Sequence, residues 1–278
     1  MIDRVCISIN NRCNLSCAYC HFNEKKVSIS QKEMNVEEIL DNIRKYIHDR
    51  KIPIFKIGFV GDGEPFLDID KLKSYISNIE DLLNEDIIKA YTITNGTVAL
   101  GDDDWLFLEK HKVNVGFSID GYRDLHNKYR CDSFDDAIEN VENYKRVTGH
   151  YPTFNATVGK ESLTNRQKVI DFFKKFGTRV TFSRMIGRFS ISLDEYHEFL
   201  LEAEKQIPVR RGGMDCTMYG GQCGAGKNNF FFANGKVYYC GNCIDLPPIG
   251  NSSLSLDKLE NSSLEFNRNQ CYKESICE

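Results

Sequence analysis

Over residues 1–207, six short apolar, β-branched runs alternate with stretches of helical periodicity, and no other feature narrows the possible folds as far. The strand candidates are Arg4–Ile9, Ile54–Val60, Ile88–Thr94, Val113–Ile119, Pro152–Val158 and Arg179–Arg184. Between them, residues 35–50 place Ile39, Leu40, Ile43 and Ile47 on one face, and residues 70–84 place Leu72, Tyr75, Ile76, Ile79 and Leu83 on one face. Residues 133–148 (Ala137, Ile138, Val141, Tyr144) and 164–177 (Val169, Ile170, Phe173, Phe176) repeat that spacing. Three helix starts read as capping boxes: Asn35 with Glu38, Thr164 with Gln167, and Ser192 with Glu195, the last opening a helix with Tyr196, Phe199, Leu200 and Ala203. A parallel strand pair needs a long crossover, which a helix supplies, so six β-then-α units imply a parallel sheet with outer helices. Six units are too few to close an eight-stranded barrel. The expected fold is α/β: a partial (β/α)6 TIM-like barrel, open on one side.

From residue 208 the alternation stops. Gly and Cys become dense, Phe230–Tyr239 reads as a hairpin turning at Asn234-Gly235, and a short helix is expected over 255–267. The chain therefore divides into a barrel, 1–207, and a small Cys-rich extension, 208–278. Eleven cysteines would suggest disulfides in a small secreted protein, but Met1-Ile2-Asp3-Arg4-Val5 runs straight into the first strand without a signal-type apolar region. A reducing cytoplasm, with the cysteines as metal ligands, fits better. No apolar stretch approaches the roughly 20 residues needed to span a membrane. A net charge of −4 with no basic run argues against a nucleic-acid partner.

Residues 13–20 read Cys-Asn-Leu-Ser-Cys-Ala-Tyr-Cys. Three thiolates this close together suit three irons of a [4Fe–4S] cube, leaving the fourth iron open to a substrate or cofactor. A zinc knuckle with His21 as fourth ligand is the alternative, because structural zinc sites close all four positions. Ligands of open parallel α/β folds gather at the C-terminal ends of the strands. The cysteine loop follows strand 1, Gly61-Asp62-Gly63-Glu64-Pro65 follows strand 2, Asn95-Gly96 follows strand 3, and Ser118-Ile119-Asp120-Gly121 closes strand 4. All four are expected at one mouth. A phosphate-binding loop is the other reading of the glycines, but no Gly-Lys-Ser/Thr follows them.

The Cys-x3-Cys-x2-Cys spacing, with Tyr19 before its last cysteine, resembles the signature of radical S-adenosylmethionine (SAM) enzymes. The resemblance implies a cluster on Cys13, Cys17 and Cys20 whose open iron chelates the amino and carboxylate groups of SAM, with Tyr19 against the adenine. Gly61, Asp62, Gly63 and Glu64 resemble the family's Gly-Gly-Glu-Pro segment beside the methionine amino group, departing from it at Asp62. Thr94-Asn95-Gly96 and the Ser118–Gly121 segment resemble stretches that contact the ribose and the active-site floor. On this basis Thr94, Asn95 and Ser118 are SAM candidates, Asp120 is a SAM or substrate candidate, and Asn155 on strand 5 is a further candidate for the methionine carboxylate. His126 is expected either at the mouth or at a helix entry. Trp105 reads as helix packing, and Cys6 and Cys131 as structural.

Cys216-x6-Cys223, then Gly235-x4-Cys240, resembles the entry of the SPASM and twitch extensions, which hold auxiliary clusters. The order of segments is most similar to anaerobic sulfatase-maturating and other peptide-modifying radical SAM enzymes. A full SPASM unit ends in more cysteines than the Cys271-x5-Cys277 present here, so the resemblance implies one auxiliary [4Fe–4S] cluster on Cys216, Cys223, Cys240 and Cys277, with Cys271 as the alternative fourth ligand. In the sulfatase maturases an aspartate base follows the cysteine matching Cys240. This chain has Gly241 there, which puts formylglycine formation by that route in doubt. Cys243 is either a hydrogen-atom donor to a substrate radical or a spare buried thiol.

The implied chemistry is reductive cleavage of SAM to a 5′-deoxyadenosyl radical, fed by a flavodoxin- or ferredoxin-type donor, followed by hydrogen abstraction from a peptide or protein substrate (oxidation, crosslinking or epimerisation). With strand 1 opening the sequence, no leader-binding domain is expected before it, and peptide recognition would then fall to the mouth or to a separate leader-peptide-binding protein. Two alternatives stay open: a radical dehydrogenase or epimerase of a small aminosugar, and a non-enzymatic zinc-binding interaction module.

Overall fold

The computed structural model describes residues 1–20, 22, 34–185, 187–210, 224–241, 244 and 246–261. The first six strands are β1 (Arg4–Ile7), β2 (Phe55–Phe59), β3 (Ile88–Thr94), β4 (Asn114–Ser118), β5 (Thr153–Val158) and β6 (Val180–Arg184). Each pairs in parallel with its neighbour in sequence, giving the order β6-β5-β4-β3-β2-β1 of a partial (β/α)6 barrel. Period-two alternation decides which residues go where. Val5, Ile7, Phe55, Ile57 and Phe59 are buried in the core they share with Ile39, Leu40, Ile43 and Ile47 of helix α1 (Val36–Arg50). Arg4, Cys6 and Lys56, on the opposite face, are only half-buried.

The remaining crossovers are α2 (Ile69–Ser77) and α3 (Glu80–Asn84) after β2, α4 (Asp102–Lys110) after β3, α5 (Arg123–Tyr129) and α6 (Phe134–Thr148) after β4, α7 (Lys160–Thr164) and α8 (Arg166–Lys174) after β5, and α9 (Leu193–Glu204) after β6. The periodicity over 70–84 belongs to two helices because the chain turns at Ser77-Asn78, both weak helix formers, to bury Ile79. Two caps form as expected: Asn35 accepts from the Glu38 backbone, and Ser192 and Glu195 cap each other. The Thr164 cap does not form. Thr164 donates to the Lys160 carbonyl from the end of α7, and Asn165 separates α7 from α8. Trp105 is buried in α4 between the rings of Phe66, Phe117 and Tyr144.

The hairpin β7 (Asn229–Ala233) and β8 (Lys236–Tyr238) turns through Asn234 and Gly235, both at positive φ (52° and 72°) as a type I′ turn requires. Strand β7 pairs in parallel with β1, and β9 (Gly250–Asn251) pairs with β8, so this part of the tail continues the barrel sheet. Phe230 and Phe232 enter the main core; Phe231, Ala233, Tyr238 and Ile244 form a second small cluster against Cys6 and Phe22. Helix α10 (Leu256–Asn261) packs on α1, with Arg50 paired to Asp257 and Glu260. Among the described residues no helix is long and apolar enough to cross a membrane.

Candidate active site at the barrel mouth

A cavity of about 330 Å³ opens at the C-terminal ends of the six strands. Cys13, Cys17, Tyr19 and Cys20 line it from the loop after β1, Gly61 to Glu64 from the loop after β2, Thr94 and Asn95 from the end of β3, and Ser118 from β4. The expected convergence of separate chain segments is therefore present.

Two networks hold the cysteine loop. In the first, Glu64 is 2% exposed and accepts from Thr94 Oγ1 (2.7 Å), the Asn95 backbone N–H (2.6 Å) and the Phe66 backbone N–H (3.0 Å). Burial raises its pKa, and these donors work in the opposite direction. Asn95, so placed, donates to Asn14 Oδ1 (2.9 Å) and lies 3.8 Å from Cys13 Sγ. Glu64 also donates its own N–H to the Arg12 carbonyl (2.7 Å), and Asn10 donates to the Glu64 carbonyl (2.9 Å). A side chain at Gly63 would overlap Asn10 Oδ1 and the Arg12 backbone. That glycine is therefore required by the approach of the cysteine loop itself. Asp62 accepts from Ser8 Oγ (2.6 Å), and burial raises its pKa.

The second network centres on Asp120, 1% exposed, which accepts from Tyr19 Oη (2.6 Å), Arg130 Nε (2.9 Å) and the Thr157 N–H (2.9 Å). Burial works against the Arg130 charge, but the acidic groups around it, Asp120 first and then Tyr19 and Cys17, together outweigh burial, and the Arg130 pKa stands above its ordinary value. The same guanidinium lies 5.3 Å from the Tyr19 ring centre. Burial pushes the Tyr19 phenol well up, so it remains a donor. Three more contacts reach the loop: Ala18 N–H to the Tyr129 carbonyl (2.8 Å), Ser16 N–H to Cys131 Sγ (3.3 Å), and Arg188 to the Ala18 carbonyl (2.9 Å).

The sequence pattern of the Radical SAM superfamily matches residues 7–173, more than half of the chain and the whole of this constellation up to Thr157. The chain belongs to the radical SAM superfamily. It is 30% identical over 179 residues to the cysteine-type anaerobic sulfatase-maturating enzyme of Clostridium novyi (strain NT), a match covering 60% of this chain and 46% of that enzyme. The chain thus spans about half the length of the curated relatives it matches. In fold it is similar to native anSMEcpe with bound AdoMet (TM-score 0.69, 20% identity, 99% of this chain and 84% of that one). It is also similar to Streptococcus suis SuiB bound to S-adenosylmethionine (TM-score 0.70, 16% identity, 100% and 70%). These two proteins have also been solved with peptides, Cp18Cys and the precursor SuiA respectively.

Membership of the radical SAM superfamily implies SAM and a [4Fe–4S] cluster, and the donor set fits. Three thiols of one loop line the cavity beside Tyr19 and the glycine-rich segment. Among the described residues no three Cys, His, Asp or Glu groups are close enough to hold a single metal ion. A cubane makes a different demand, one thiolate on each of three irons.

Two candidates are not where the sequence suggested. Asp120 does not line the cavity; its acceptors are filled by Tyr19, Arg130 and Thr157, which makes it a positioning group. Asn155 packs its amide over Gly116 and lines a second cavity at the other end of the barrel, while Thr157, two residues on, reaches the mouth. Cys216, Cys223, Cys243, Cys271, Cys277 and His21 lie outside the described residues. Arg130, Thr157, Ser183, Arg184 and Met185 line the mouth without having been singled out in the sequence. Arg130 and Thr157 carry no motif and meet Asp120 only through the fold; Ser183 and Arg184, closing strand 6, were legible from the strand-end rule.

His126 sits on α5, fully buried, and not at the mouth. Its Nδ1 faces the Asp120 N–H (3.4 Å) and its Nε2 faces Ser133 Oγ (3.1 Å), whose own proton goes to the Arg130 carbonyl. Burial lowers its pKa to about 4. Between about pH 6.5 and 4 the unfolded chain binds a proton here that the folded chain does not, so stability falls as pH falls through that window, by up to about 3 kcal/mol. Urea denaturation at pH 7.0 and 4.5 should show this loss in wild type and a much smaller one in His126→Gln; equal losses would remove His126 as its source.

Proposed function

We propose that the protein abstracts a hydrogen atom from a peptide or protein side chain, in a maturation reaction that oxidises, crosslinks or epimerises it. The convergence of Cys13, Cys17, Cys20, Tyr19, Gly61–Glu64, Asn95 and Ser118 on one cavity carries this reading. The bound cluster and SAM together would supply a 5′-deoxyadenosyl radical in a site that excludes water. The chain's own residues then have separable tasks. Cys13, Cys17 and Cys20 hold the cluster. Tyr19, kept in place by Asp120, offers a flat apolar face to the adenine, and Ser118 and Asn95 offer polar contacts. Glu64 acts through Asn95. The peptide-bound solved structures of proteins with this fold support a peptide substrate over an aminosugar.

The extension at 208–278 is proposed to hold one auxiliary [4Fe–4S] cluster on Cys216, Cys223, Cys240 and Cys277, with Cys271 as the alternative. Cys243 would be its neighbouring thiol, and a flavodoxin- or ferredoxin-type protein the electron donor. Gly241 has no positive φ, and among the described residues an added Cβ would meet nothing nearer than Phe231 at 3.7 Å, so no described neighbour requires glycine there. The missing aspartate supports a peptide modification other than formylglycine formation by the aspartate route.

Iron counting tests the cofactors. Anaerobically reconstituted protein should hold about eight irons, and the Cys13/Cys17/Cys20→Ala variant about four. A fall from about four to none would take away the auxiliary cluster. Deuterium transfer into 5′-deoxyadenosine from side-chain-deuterated peptides, but not from deuterated aminosugars, is the expected substrate result; the reverse pattern would overturn the peptide reading.

A further inference from the structure

The second cavity, about 320 Å³, lies at the N-terminal ends of the strands, opposite the mouth, and among the described residues shares only Ile93 with the site described above. Among the described residues, five cationic ones line it, Arg4, Lys56, Lys89, Arg179 and Arg210, and no acidic one does. The backbone register puts three of them in a row. Arg4 on β1 is the direct partner of Lys56 on β2, and Lys56 of Lys89 on β3. Adjacent strands run about 4.8 Å apart, and like charges placed directly opposite repel. On the other side, the Arg210 N–H bonds to the Val180 carbonyl (2.9 Å), which brings Arg210 beside Arg179. Burial and Arg210 both push the Arg179 pKa down. Lys89 has a partial counter-charge in Asp86 (2.8 Å), which Lys112 shares. The amide of Asn155 and the hydroxyl of Thr181 add hydrogen-bonding groups to the same wall.

A chain with net charge −4 has acid to spare, yet none of the described acidic residues is set in this wall. Concave walls of one sign focus their field and raise the local concentration of the opposite ion. We propose that this cavity is a binding site for a small multivalent oxyanion of the phosphate class. The guanidinium groups of Arg179 and Arg210 would grip it through paired N–H donors, and Lys56 would act as a point charge from the sheet. The inference is independent of what the mouth does to its substrate.

Calorimetric titration of the reconstituted full-length protein with pyrophosphate and, separately, inorganic phosphate, at ionic strength matched with sodium chloride, tests this. One saturable site is expected, unaffected by saturating SAM. Lys56→Gln and Arg179→Gln should each weaken pyrophosphate binding at least tenfold while keeping the wild-type iron content, which reports an intact fold. Lys160→Gln, which removes an exposed charge just past the C-terminal end of β5, at the opposite end of the barrel, should change nothing. The absence of saturable binding, equal affinity in all three variants, or competition by SAM would each overturn the proposal.

Discussion

Asp120→Asn should destabilise the protein by about 3–5 kcal/mol, the usual consequence of removing one partner from a buried ion pair. The carboxylate is fully buried and Arg130 nearly so (side-chain exposures 0% and 10%), so water cannot take over. An asparagine can keep its oxygen toward the Thr157 N–H, but its amide then faces two donors, Tyr19 Oη and Arg130 Nε. Tyr19 loses its anchor, and with it the cysteine loop loses a tie to the barrel. The variant should unfold at lower urea and retain less iron after gel filtration. Arg130→Met in the same background should recover part of the loss, because removing both charges leaves neither uncompensated; a double-mutant cycle should give a coupling of about 1–3 kcal/mol. Additive losses would mean the pair is not coupled and would refute the positioning role of Asp120.

Gly63→Ala should leave the barrel folded and the site disabled. The new methyl group would run into the Arg12 backbone, which has no rotamer with which to yield; its nitrogen alone would be 2.7 Å away. Relief requires the cysteine loop and the Gly61–Glu64 segment to part, breaking the Glu64-to-Arg12 and Asn10-to-Glu64 hydrogen bonds. Overpacking of this kind costs about 1–3 kcal/mol. The larger effect falls on geometry, because a displacement of about 1 Å in a positioned site costs about a hundredfold in rate. SAM affinity of the reconstituted variant should drop at least tenfold with the far-UV spectrum unchanged. Wild-type SAM binding would show that the two segments move independently.

Both variants probe contacts that differ in how far they were legible in the sequence. The six strands, the hairpin turn at Asn234-Gly235, the Asn35 and Ser192 caps and the burial of Trp105 depend on short-range rules: side-chain period, turn chemistry, and a cap three residues from its partner. The sites after β1 to β4 were legible for a related reason, since parallel strands all end at the same side of the sheet. The failures are also physical. Thr164 carries a capping spacing, but its hydroxyl finds the Lys160 carbonyl first, and a local pattern does not say which of two partners wins. Asn155 has the right chemistry on the right strand, but is too far from the strand's C-terminal end to reach the mouth.

The sequence alone determined the class of fold, the cysteine loop and the end of the sheet where the motif-bearing loops gather, because periodicity and cysteine spacing are written along the chain. Only the tertiary structure decided that Asp120 accepts from both Tyr19 and Arg130, that Glu64 holds the Asn95 backbone, that β7 extends the sheet from β1, and that five described cations line the cavity at the far end of the barrel. In each case the partners lie on different elements. Side chains from separate strands and helices meet only once the barrel has formed, and burial then acts on whichever charges the fold has brought together.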